Sequence, residues 1–320
     1  MRARRCSNLE VFTVRECCAS SAAGAVVSRG RRTPRLRRSD WILMAYFTYV
    51  AVLAQILPVP DPIPLLAVAV NLAVIKGLLV LAWAESLRGN IFFSVLRDWY
   101  PAPLMLLAYR EMGWLAPTHH THKFEQAWIV WDRKLLNDWG LHGLIEFFSP
   151  VLPAVLELAY LLVYSTPLFS VFMLYVYRRR ERVDSFLTLF LLAILIPYAL
   201  FPYFPSEPPR VVFPGELFPS ADTWFRRLNW QLLEGQGIRT SVFPSAHVAG
   251  GFAAAFGMIR YLPEHAWVGR FLLVLAVLIA TAVIYGRYHY AVDAAAGLAA
   301  ALLALMIVVA LEKRQARAAR

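Results

Sequence analysis

The chain has 320 residues, 59% of them hydrophobic, and carries a formal net charge of +11. So apolar a composition excludes an ordinary soluble domain, and several runs approach the roughly 20 residues that span a bilayer. Much of the positive excess sits in Met1–Arg38 and Lys313–Arg320. Basic ends flanking apolar spans mark cytoplasmic segments near anionic lipid and argue against a nucleic-acid partner. The expected fold class is therefore all-α, a polytopic helical membrane protein with lipids and the membrane as its partners.

Residues 1–40 form a basic arm rich in Arg, Ser and Ala, with no apolar core that would make a secretory signal. It reads as a transit-like arm, a disordered cytoplasmic tail, or a start codon placed too far upstream. Cys6, Cys17 and Cys18 all lie in it, so no disulfide is expected to staple the membrane core. Residues 41–148 follow as N-terminal membrane helices and an interfacial segment, 149–311 as a catalytic membrane core, and 312–320 as a basic cytoplasmic tail.

Trp41–Val59 and Pro62–Ala84 read as the first two membrane helices, separated by Pro58, Pro60 and Pro62. Lys76 lies inside the second, where a charge usually faces the bundle interior, and Glu157 in a later span is its candidate partner. Asn90–Ala116 is apolar but interrupted by Arg97, Asp98, Arg110 and Glu111. It is a poor span, a re-entrant segment or an interfacial helix. Phe124–Phe148, with Trp128, Trp131 and Trp139 among basic residues, reads as an amphipathic helix on the membrane surface. His119, His120 and His122 crowd the loop between, but metal ligands must converge from fixed directions, so a solvated loop is the better reading.

Val151–Tyr177 spans and stops at the basic run Arg178–Arg182, a cytoplasmic mark. Ser185–Phe204 returns, Pro205–Thr240 lies outside, Val248–Ile259 goes in, Trp267–Ile284 goes out and Ala294–Leu311 comes back. A cytoplasmic N-terminus then requires residues 86–149 to cross an odd number of times, most simply once. In the outer loop, Trp224, Phe225, Leu228 and Leu232 share one helical face, as in an interfacial anchor.

The out-and-back hairpin brings two polar clusters to the same membrane face, Phe243–His247 and Arg287–Asp293. Covalent phosphoryl transfer needs a nucleophile, an acid for the leaving oxygen, and cations or N–H groups around the phosphate. His289 and Asp293 are four apart, on one helical face. The carboxylate can hold one ring nitrogen and leave the other free to attack phosphorus. His247 opens a helix just after Ser245, where the first-turn N–H groups favour an anion and the imidazole can protonate a departing alcohol. Arg287 and Arg210 are candidate phosphate donors. Gly250, Gly251, Ala254 and Gly257, and the small residues around Gly297, allow the close helix contacts that would hold His247 against His289.

Pro244-Ser245-Ala246-His247 resembles the Pro-Ser-Gly-His motif of the type 2 phosphatidic acid phosphatase superfamily, and His289 with Asp293 resembles its terminal His-x-x-x-Asp motif. The likeness is closer to the inositol phosphorylceramide synthase branch, with its Phe-Pro-Ser-x-His and His-Tyr-x-x-Asp. The resemblance implies His289 as nucleophile, Asp293 as its orienter, His247 as acid/base and Ser245 as a phosphate ligand. It also implies a metal-free reaction without cofactor, in a six-helix core that here follows about two N-terminal membrane helices. The pattern departs at the first motif, where Tyr203 takes the Lys place and Pro209 precedes Arg210. It departs again where the Arg expected six before the His falls on Val283, leaving Arg287 only two before it.

Fewer cations suit a phosphodiester, with one negative charge, better than a monoester with about two. The expected function is therefore a phosphotransferase that moves a phospho-headgroup from a phospholipid to a lipid alcohol, with its site on the non-cytoplasmic face. A lipid phosphate phosphatase is the alternative within this chemistry. A transporter using Lys76 and Glu157 is the alternative from another class.

Overall fold

The computed structural model describes residues 35–88, 91–117, 121–238, 240 and 242–318, and all regular structure among them is helical. Helix α1 covers Arg38–Ile56 and α2 Ile63–Arg88, with prolines filling the turn between them. Next come α3 (Ile91–Trp99) and α4 (Pro101–Leu115), separated where Pro101 removes a helical N–H donor. Helix α5 (Lys123–Arg133) continues through a π turn, Lys134–Asp138, towards α6 (Leu141–Phe147).

Helices α7 (Val151–Leu162) and α8 (Thr166–Val176) form one span interrupted by a 3₁₀ turn at Val163–Ser165. Then follow α9 (Val183–Leu200), the short α10 (Pro209–Val212) and α11 (Trp224–Gln236). The chain ends in α12 (Ala246–Tyr261), α13 (Ala266–Tyr285) and α14 (Ala291–Ala318). Six helical segments are long and apolar enough to cross a membrane.

Side-chain contacts identify the two ends of the bundle. At one end Arg37 donates to Asp98 at 2.6 Å, Arg180 donates to the other oxygen of Asp98 at 2.6 Å, and Ser39 donates to Asp184 at 2.6 Å. Arg182 pairs there with Glu264, and Tyr261 donates to Glu312. This is the end that carries the basic run Arg178–Arg182. At the other end the Tyr109 hydroxyl in α4 accepts from the Ile238 amide at 2.9 Å.

Residues 91–115 therefore run from one end to the other once, which satisfies the odd-crossing requirement. The charges that make this stretch a poor span are partnered. Asp98 joins the network just described, Arg97 is bonded to Asp40 and Glu85, and Glu111 accepts from Asn71. Residues 91–115 and the sixteen-residue α12 run between the same two ends as the six long apolar segments.

Helix α12 lies at the centre, against α9, α13 and α14. Its small residues allow this: a Cβ built on Gly297 of α14 would sit 2.4 Å from the Ser245 carbonyl oxygen. Only glycine permits that approach, and it joins the start of α12 to the first turns of α14.

Two expectations are corrected. Lys76 is exposed on the outer face of α2 and does not pair with Glu157. Glu157, 2% exposed in α7, accepts from Arg226 at 3.0 Å, Asn229 at 2.8 Å and the Tyr288 hydroxyl at 2.7 Å. No Lys–Glu pathway exists, and the transporter reading loses its basis. Residues 124–148, in turn, do more than rest on a surface. Trp131, Trp139 and Phe147 are exposed, but Glu125, Ile129 and Asp132 are buried, and α5 packs on α14.

Candidate active site

Ser245 caps α12: its hydroxyl accepts from the Val248 amide at 3.4 Å. Its own amide donates to the Asp293 carbonyl at 3.0 Å, so the two motif segments are stitched directly to one another. Between α13 and α14 the chain makes a tight turn in which Tyr288 and His289 both donate to the Val283 carbonyl at 2.9 Å. Arg287 takes a left-handed φ of 64° there. The Asp293 carboxylate accepts from the Tyr290 amide at 2.8 Å and closes the turn.

The two histidines meet across this junction. His289 Nδ1 lies 2.9 Å from the Val242 carbonyl oxygen and 3.4 Å from Asp293 Oδ2. A carbonyl only accepts, so Nδ1 carries the hydrogen and Nε2 keeps its lone pair. Asp293 does stand beside the expected nitrogen, but the shorter bond that fixes the tautomer goes to the backbone. His289 Nε2 lies 3.3 Å from His247 Nδ1. Burial, with Arg210 nearby, pushes the His289 pKa down to about 3. A lowered pKa keeps the ring neutral at physiological pH, with Nε2 able to attack.

Both histidines face a cavity of about 810 Å³. Its walls are largely apolar side chains from α4, α8, α9 and α11, with the tyrosines 109, 160, 164, 198 and 288 among them. Arg210 enters from α10, its guanidinium 5.6 Å above the Tyr288 ring, whose hydroxyl is held by Glu157. Among the described residues no carboxylate pairs with Arg210. The site thus offers a neutral nucleophile, a second imidazole and a cation free to meet an anion.

A family profile described as the PAP2 superfamily matches residues 126–307, more than half of the chain. The chain belongs to the PAP2 superfamily. No curated protein and no solved structure matches it. The matched stretch starts within α5 and ends within α14, so it includes both motif segments and Arg210.

Two of the candidate phosphate ligands, Ser245 and Arg287, are not among the residues lining the cavity. Ser245 is fully buried and its hydroxyl is used in capping. The Arg287 guanidinium, 0% exposed, donates to Asp132 Oδ2 at 2.7 Å. The left-handed turn at Arg287 sends the side chain behind the His289 turn, towards α5.

Asp132 belongs to no motif in the sequence. Its other oxygen accepts from the Ala291 amide at 2.7 Å, so one carboxylate holds both the charge before His289 and the first N–H of α14. Burial raises its pKa to about 6, against the opposing pull of Arg287. The available signal is spacing: Glu125, Trp128, Ile129 and Asp132 fall at i, i+3, i+4 and i+7, one helical face that mixes apolar groups with two carboxylates. Trp128 on that face stacks on Phe243 at 4.8 Å between ring centroids.

His119 and His120 lie outside the described residues. His122 sits 3.3 Å from Glu125 and 3.9 Å from Glu207. Among the described residues no group of three His, Cys, Asp or Glu is arranged to hold a metal ion.

Proposed function

We propose that this PAP2 superfamily member is an integral membrane phosphotransferase that moves a phospho-headgroup from a phospholipid to a lipid alcohol, as in inositol phosphorylceramide synthases. His289 Nε2 attacks phosphorus and carries the phospho-headgroup as a phosphohistidine. Asp293 and the Val242 carbonyl hold the other nitrogen. His247 protonates the departing alcohol and later takes the proton from the acceptor hydroxyl. Arg210 and the first-turn amides of α12 receive the phosphate charge in a metal-free, cofactor-free reaction.

The observation that carries this reading is the cation count at the cavity. With Arg287 neutralised by Asp132, Arg210 is the remaining arginine among the described lining residues. One cation matches a monoanionic diester better than a dianionic monoester. Substrates that stay in the bilayer are favoured as well. Helix α12 has 16 residues and rises about 24 Å, less than the ~30 Å hydrocarbon core. So short a helix supports a His247 recessed from the membrane surface, at an apolar cavity. The basic clusters at the opposite end support a site on the non-cytoplasmic face.

The test supplies the purified protein in lipid nanodiscs with a phosphodiester lipid labelled in its phospho-headgroup, with and without ceramide or another lipid alcohol. The label moves to the lipid alcohol and the diacylglycerol-type product appears in step. Reaction of phosphatidic acid-type monoesters alone, with free phosphate as sole product, establishes the hydrolase instead.

A further inference from the structure

We propose that Tyr164 is a positioning residue for His247, fixing which of its ring nitrogens faces the phosphate; this rests on the His289 and His247 roles given above. Tyr164 lies in the 3₁₀ turn Val163–Ser165 that interrupts the α7–α8 span. The interruption, with Pro167 in the first turn of α8, aims the phenol into the cavity instead of along a continuous helix. Its hydroxyl lies 3.2 Å from His247 Nε2. One turn earlier, Tyr160 lies against the same imidazole, with ring centroids 5.1 Å apart, and supports it from the side.

The hydrogen bonds order this chain from one end. His289 Nδ1–H donates to the Val242 carbonyl, so His289 Nε2 can only accept. His247 Nδ1 must then donate to it across 3.3 Å. His247 Nε2, in the neutral ring, accepts from the Tyr164 hydroxyl. Tyr164 therefore sets the outer end of a directed relay whose inner end is the nucleophile. Its hydroxyl can also turn and accept, which the reaction requires.

When the phosphodiester binds, its negative charge allows His247 to take a proton from solvent, and Nε2–H then donates to the Tyr164 oxygen. The His289 Nε2 lone pair forms the P–N bond while the bond from phosphorus to the leaving oxygen breaks, its electron pair staying on that oxygen. The leaving oxygen takes the His247 Nδ1 proton. His247 ends neutral, with Nε2–H held by Tyr164 and an Nδ1 lone pair facing phosphorus. That lone pair is the base that accepts the proton of the incoming hydroxyl. Without the Tyr164 oxygen the neutral ring is free to exchange tautomer or to rotate, and Nδ1 is lost as a dedicated acid/base.

The experiment uses the full-length protein in nanodiscs and two phosphodiesters with the same transferred group, one leaving as an alkyl alcohol and the other as p-nitrophenol. A nitrophenolate leaves without a proton, so in the first half-reaction, read as leaving-group release in a single turnover without acceptor, a residue that serves the acid matters only for the alkyl substrate. Tyr164→Phe, which keeps the ring packing, should slow the single-turnover rate of leaving-group release roughly 10-fold on the alkyl substrate and less than about 2-fold on the nitrophenyl one, the range of one lost hydrogen bond. His247→Ala should show the same selectivity with a larger loss. Equal losses for Tyr164→Phe on both substrates, or none on either, overturn the proposal. Retained activity of His289→Ala on either substrate removes the underlying assignment instead, so the two failures read differently.

Discussion

His289→Ala abolishes transfer, lowering turnover by roughly 10⁴–10⁶-fold, the range found when a covalent nucleophile or its orienting base is removed. The size follows from geometry. His289 Nε2 is a neutral acceptor at the cavity, its ring anchored through Nδ1 by a backbone carbonyl and flanked by Asp293. The one neighbouring imidazole, His247, has Nδ1 directed at His289 and Nε2 at Tyr164. It is placed to pass protons, not to replace the nucleophile. Gly297 and the Ser245-to-Asp293 hydrogen bond hold the surrounding backbone, so the alanine variant should fold and still bind lipid. Turnover within about 100-fold of wild type would show that the chemistry runs through another group, since even loss of general acid–base help costs about 10²–10⁴-fold.

Asp132→Ala produces the largest expected loss of stability. Both partners of the Asp132–Arg287 pair are 0% exposed, and removing one strands the other's charge. Breaking such a pair costs roughly 3–5 kcal/mol, which corresponds to a fall of about 4–7 °C in Tm for a chain of this length. The Ala291 amide loses its acceptor at the same time, so the His289 turn loosens and activity falls even below the melting range. The paired replacement Asp132→Leu with Arg287→Met removes the stranded charge and should recover most of the stability. Thermal unfolding in detergent decides it: a single variant within about 2 °C of wild type, or a double variant no better than the single, would show that the pair does not clamp this turn.

Much of the fold could be read from local pattern. Apolar runs ended by Arg178–Arg182 and Lys313–Arg320 give the helices and their alternation, because burial in lipid demands continuous apolar stretches. The convergence of His247 and His289 was legible for a related reason. An out-and-back hairpin returns to its own side, and the small residues around Gly297 let its neighbours close in. Asp132 was not, because its partner lies 155 residues away and no periodicity encodes so distant a contact. Arg287 misled for a local reason: two residues before His289, only a left-handed φ decides where its side chain goes, and nothing in the pattern requires one. Lys76 and Glu157 looked like a pair because both are charges within spans. Glu157 instead meets Arg226 and Asn229 on α11, off the apolar face that marks that helix in the sequence.

The central claim is that His289 carries the transferred group. Wild-type protein in nanodiscs, mixed with a phosphodiester lipid labelled in its phospho-headgroup and no acceptor, is quenched in alkali, where a phosphorylated imidazole survives. It is then digested and mapped. The account predicts stoichiometric label on the peptide that begins at Tyr288 and contains His289, discharged on adding a lipid alcohol and absent from His289→Ala. Label on any other residue, or steady turnover with no label on that peptide, would contradict it.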